Sequence, residues 1–99
     1  MVGKTILRQG DVVLIPREKI PADAKGVGYG IHIHGESGNT HRLDNVFVFE
    51  SDEVQGQIIV VQQDTVMTHE EHTPLVVPAG VYEVRQMRTW SPQGTRRGD

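Results

Sequence analysis

The 99-residue chain contains no cysteine, which excludes disulfides, thiolate metal ligands and cysteine nucleophiles. Aromatic residues are scarce, with two phenylalanines, two tyrosines and one tryptophan. That is too few for an interleaved basic-aromatic platform of the kind that stacks on nucleic-acid bases. Positive charge is not concentrated either. The ten Lys and Arg residues are scattered, apart from Arg96-Arg97 near the end, and the net charge is −3. A duplex-binding stripe is therefore missing, and nucleic acid is not expected as a partner. The longest apolar runs, such as VVLI and IIVV, are four residues. Neither a signal-peptide core nor a membrane span fits in them. A soluble cytoplasmic protein is the expectation.

Helical periodicity is also lacking. What the chain does have is turn formers, with eleven glycines and five prolines, and short Val/Ile-rich segments between them. GKTILRQGDVVLIP reads as a strand over 4–8, a turn at Gln9-Gly10-Asp11 and a strand over 12–15 that Pro16 ends. In VGYGIHIH, period-two alternation sets Val27, Tyr29, Ile31 and Ile33 on one face and His32 and His34 on the other. VFVFE, IIVVQQ and DTVMTH continue the pattern, and PLVV, a Pro-Ala-Gly turn and VYEVRQMRTW read as a last hairpin. Roughly eight strands at this spacing predict an all-β single domain over residues 1–90, a small, mainly antiparallel barrel or sandwich, followed by a polar tail over 91–99. A chain of this length buries only about 60–70% of its unfolded surface. With an apolar fraction of 36% the core is small, and a homo-oligomer is expected to supply further burial.

Histidines carry the chemistry. If residues 35–40 form a hairpin loop, His34 lies across from His41, and His32 shares their face. Three imidazoles on one patch suit a divalent transition metal such as zinc, nickel, iron or copper, and Glu36 in the loop could add a carboxylate. The plain alternative is a polar strand face to which histidine is well suited. The segment THEEHTP places His69 and Glu71 on one side of an extended strand and Glu70 and His72 on the other. Its histidines are three apart, so the helical zinc-protease motif is excluded. It reads as an acid-base pair, as a solvated strand end or loop closing onto Pro74, or as the source of a further ligand, His69 or His72, for the first cluster. Arg85, Arg88 and Trp90 read as a strand end with Trp90 against the core. No serine sits in a nucleophile elbow, and the glycines of GVGYG precede no helix that could hold a phosphate.

The segments QGDVVLIP, HGESGNTH and THEEHTPLVVPAGVYEVRQMRTWSP together resemble a group of small bacterial and phage-borne proteins. That group shares a Q-G-D-V opening, a G-E turn leading into histidine, and an H-x-E-H-x-P frame running into P-x-G-x-Y. The resemblance spans nearly the whole chain and brings no activity with it. GVGYGIHIH and VPAGVYE are also similar to the two motifs of the cupins, which are small β-barrels with a metal centre. Here Glu36 follows His34 by two residues, and Glu83 stands where the second cupin motif has its histidine.

The expected function is a non-catalytic binding or assembly module with His32, His34 and His41 as a small-molecule or metal patch. The alternative is a cupin-like metal-dependent enzyme acting on a small molecule, with one coordination position left open. The third reading is a purely structural subunit of a mobile-element or phage assembly.

Overall fold

A computed structural model of the chain describes residues 5–35, 39–54 and 56–87. Glu36, Arg88, Trp90 and the tail over 91–99 lie outside the described residues. The protein is all-β, and among the described residues no helix is long and apolar enough to cross a membrane. The eight strands are β1 (Leu7–Gln9), β2 (Val12–Arg17), β3 (Lys25–His34), β4 (Thr40–Glu50), β5 (Gln57–Val61), β6 (Thr65–Met67), β7 (Leu75–Val77) and β8 (Gly80–Gln86). Six form one antiparallel sheet in the order β1-β2-β8-β5-β4-β3, while β6 and β7 pair separately. Among the described residues β1 and β3 are the outermost strands of the large sheet, which does not close into a barrel.

Alternation places the core. Val12 and Leu14, Val46 and Val48, Ile59 and Val61, and Tyr82 and Val84 project from four neighbouring strands to one side, where Ile31, Leu43, Met67 and Val77 join them. The small sheet supplies the last two residues and so lies over that face. Burying one such Val, Leu or Ile side chain contributes roughly 1.5–3 kcal/mol.

Three local expectations are corrected. Strand β2 does not stop before Pro16 but runs through it to Arg17, with Pro16 opposite Tyr82. Its ladder with β1 has already ended at Leu14, so Pro16 faces an edge where a missing N–H costs little. β7 and β8 do not form a hairpin. β7 pairs with β6 and β8 with β2 and β5, so Pro78-Ala79 carries the chain from one sheet to the other. Finally, β3 does not keep one face inward. Tyr29 is opposite exposed Phe47, whereas Ile31 is opposite buried Leu43, with a register shift between them. Gly30 (φ +85°) makes the reversal, a conformation that glycine adopts without steric cost.

Candidate functional site

The hairpin between β3 and β4 decides the fate of the histidines. His34 pairs with Thr40, Ile33 with His41, and His32 with Arg42. The register differs by one residue from the expectation that set His34 across from His41. A one-residue slip moves a side chain to the opposite face. His32 and His34 therefore point outward and are exposed, while His41 points inward and is 1% exposed. The three imidazoles do not share one surface.

His41 has other company. The amide nitrogen of Gln9 donates to the Met67 carbonyl at 2.9 Å and the Thr73 carbonyl at 3.0 Å, which fixes the orientation of that amide. Gln9 Oε1 then accepts from His41 Nδ1 at 2.9 Å. His41 Nε2 faces Asp11 Oδ1 at 3.0 Å, and Asp11 Oδ2 accepts from Gln86 Nε2 at 2.9 Å. Gln86 also donates to the His34 carbonyl at 2.5 Å. The β1–β2 turn, β4, β8 and the β6–β7 loop thus meet on one buried ring. Because both partners of the ring present acceptors, a single imidazole proton can satisfy only one of the two contacts. A second proton satisfies both but places charge in a sealed site. Burial pulls the His41 pKa below its ordinary value, Asp11 opposes this, and the nearby His69 and His72 reinforce it. Asp11 is also buried, which raises its pKa, but the hydrogen bonds from Gln86 and His41 prevail and hold it below the ordinary carboxylate value.

The segment over 68–74 is the loop of the β6–β7 hairpin. Its shape is set by His69, whose Nδ1 accepts from the backbone N–H groups of Glu71 (3.0 Å) and His72 (3.2 Å). The His72 ring Nδ1 lies 2.8 Å from the same atom. These contacts make His69 Nδ1 an acceptor, so its ring proton sits on Nε2. The His69 ring packs against His41 at a tilt of 45° with centroids 4.3 Å apart, and the His72 ring is 6.1 Å from His41. Gly10 permits this approach. A Cβ there would stand 3.0 Å from the His72 ring and 3.2 Å from His41 Cε1, and its φ is +59°.

On the outer side lies an open cleft of about 440 Å³ lined by His32, His34, Thr40, Arg42, Thr68, His69 and Glu70. Glu70 accepts from the Thr40 N–H at 3.1 Å, and backbone hydrogen bonds join Arg42 to Thr68 in both directions. These contacts hold the loop against β4. Arg42 Nε donates to His32 Nε2 at 3.3 Å. His69 is thus shared between the cleft and the buried ring. Among the described residues, no three His, Asp or Glu side chains are gathered closely enough to hold a metal ion.

Sequence reasoning brought His32 and His34 together, and its suggestion that the 69–72 segment meets the first cluster describes where His69 lies. It missed Gln9, Asp11 and Gln86. A signal for them was present, because Gln9, Gly10, Asp11, His41, His69, His72 and Gln86 all belong to the polar frame quoted above. In sequence the Gln9-Gly10-Asp11 segment reads only as a turn.

Fold and site define an open-sheet all-β domain with a buried histidine-carboxylate ring beneath a histidine-lined cleft. The chain belongs to the family described as Domain of unknown function (DUF8820), whose model matches residues 8–87. No curated protein and no solved structure matches it.

Proposed function

We propose that the protein is a non-catalytic binding module that takes a small polar ligand, or a transition-metal ion held by fewer than three protein side chains, in the cleft between β3, β4 and the β6–β7 loop. One observation carries this reading: His32, His34 and His69 line a single concavity with Arg42 and Glu70. A concave site with a few convergent polar groups is the usual form of a ligand pocket. The non-catalytic part is supported by the placement of the His41–Asp11 pair. His41 and Asp11 are engaged within the buried ring, and the His41 side chain has no exposed surface.

Calorimetric titration of untagged protein with zinc, nickel and inorganic phosphate tests the proposal, with histidine ring resonances followed by NMR. At least one probe is expected to saturate at one equivalent, shift the His32, His34 and His69 rings, and bind at least tenfold more weakly to His34→Ala and His69→Ala. Saturable binding of none of the three, or binding that leaves those rings unmoved, refutes the site.

A further inference from the structure

Six of the residues lining the cleft fall into two rows. Register pairs His32 with Arg42, and a bridge joins Arg42 to Thr68, so one row runs His32, Arg42, Thr68. The next runs His34, Thr40 and then Glu70, which accepts from the Thr40 N–H. His69 lies between Thr68 and Glu70 in the loop and lines the same cleft. The hydrogen bonds already made within these rows decide what they offer a ligand. A neutral imidazole has one lone pair and one N–H. On His69 the lone pair of Nδ1 is taken by the N–H groups of Glu71 and His72 and by the His72 ring at 2.8 Å. What remains is the Nε2–H. On His32 the lone pair is at Nε2, because arginine can only donate and Arg42 Nε does so there at 3.3 Å. What remains is the Nδ1–H. Arg42 is engaged through Nε alone, by His32 and, at 3.8 Å, by Asp44. Among the described residues the four N–H groups on its terminal nitrogens have no acceptor, and its side chain is 57% exposed.

We infer that the ligand of this cleft is an oxyanion, the phosphate or carboxylate group of a small molecule, held over the row His32, Arg42, Thr68. The inference rests on the cleft being a binding site and chooses between the two ligand classes proposed for it. A transition metal needs lone pairs. Those of His32 and His69 are taken, so a metal on either ring would force a change of tautomer and the loss of the hydrogen bonds above. His34 and Glu70 alone fall short of the three or four protein ligands of a zinc site. An oxyanion needs donors, and donors are what the row has left: the guanidinium fork of Arg42, an N–H on each of two imidazoles, and the Thr68 hydroxyl. A guanidinium pairs with carboxylate or phosphate through two parallel N–H groups, in bonds about twice as strong as neutral ones. Nearby acids do not cancel this. Asp44 is 66% exposed and beyond hydrogen-bond distance of Arg42, and such surface pairs are weak. Glu70 belongs to the other row and has one oxygen on the Thr40 N–H.

Separate calorimetric titrations of the full chain with inorganic phosphate, malonate and zinc, at fixed ionic strength, test the inference. Phosphate or malonate is expected to saturate at one equivalent while zinc gives no saturable binding, and the tighter of the two anions names the group. Arg42→Gln, at an exposed position, is expected to weaken anion binding at least about tenfold, the loss of a charge-assisted pair. Glu70→Gln keeps an acceptor for the Thr40 N–H and removes the carboxylate charge. It should tighten anion binding about two- to fivefold, whereas a metal would bind it more weakly. Ring nitrogen chemical shifts of the free protein should show the proton of His69 on Nε2 and that of His32 on Nδ1. Zinc binding without anion binding overturns this inference and leaves the cleft a binding site. Binding of none of the three probes overturns both. Anion binding unchanged in a folded Arg42→Gln, or weakened by Glu70→Gln, overturns the oxyanion alone. Should Arg42→Gln fail to fold, the sign of the Glu70→Gln effect decides.

Discussion

Replacing Gln9 should be among the most damaging single changes in the protein, although glutamine is seldom a core residue. Its side chain makes three hydrogen bonds, to the Met67 and Thr73 carbonyls and to His41 Nδ1, and the residue is 4% exposed. Gln9→Ala strands the buried Met67 carbonyl and the buried His41 ring N–H. Each unpaired buried group costs about 1–3 kcal/mol. Thr73 is exposed and its carbonyl turns to water at smaller cost. The loss should total about 3–5 kcal/mol, against the roughly 5–15 kcal/mol that holds a domain folded. At roughly 4–8 °C per kcal/mol for a chain of this size, the melting temperature falls by at least about 12 °C. Gln9→Met separates hydrogen bonding from volume, because it fills the same space but donates and accepts almost nothing. Thermal and urea unfolding of both variants measure the effect. A Gln9→Met protein within about 1 kcal/mol of wild type would show that Gln9 acts by packing, and the argument for a hydrogen-bonded ring would fail.

Acidification should destabilise the fold in two stages. With the His41 pKa lowered below 6.5 in the fold, the unfolded chain takes up its proton first. Stability is therefore lost as pH falls from about 6.5 to the folded value. Asp11, lowered below 3.8, contributes stability that is present above that value and lost as pH falls through its folded pKa. Stability measured across this range should show the upper stage shrink in His41→Gln, and an unchanged upper stage would refute the assignment. Gly10→Ala should cost about 1–2 kcal/mol for the left-handed backbone alone, with a further loss as the His72 ring is displaced. Chemical denaturation checks the cost, and a change in the His69 and His72 ring resonances checks the displacement.

The strand count was legible because period-two alternation and turn residues are local signals, and they place β5 and β6 to within about two residues at each end, while β2 runs two residues past its expected end and β4 begins well before the VFVFE segment. What escaped was anything that depends on which strand meets which. The single-residue difference between pairing His34 with His41 and with Thr40 lies in a loop whose length no local rule fixes. It exchanges an outward three-histidine patch for one buried and two exposed imidazoles. Val77, Pro78, Ala79 and Gly80 look like a tight hairpin, yet the chain changes sheets there, because the inward positions of β7 and β8 serve different layers. Gln9 and Asp11 are distant in sequence from His41 and Gln86, and only the tertiary fold brings them around one ring.

The reversal at Gly30 divides β3 into two lengths that answer to different demands. Upstream, the strand contributes Tyr29 to the outer aromatic surface. Downstream, it sets the phase of His32 and His34 above the cleft. Inside and outside are exchanged at that glycine, so one continuous strand serves both the outer aromatic surface and the histidine-lined cleft.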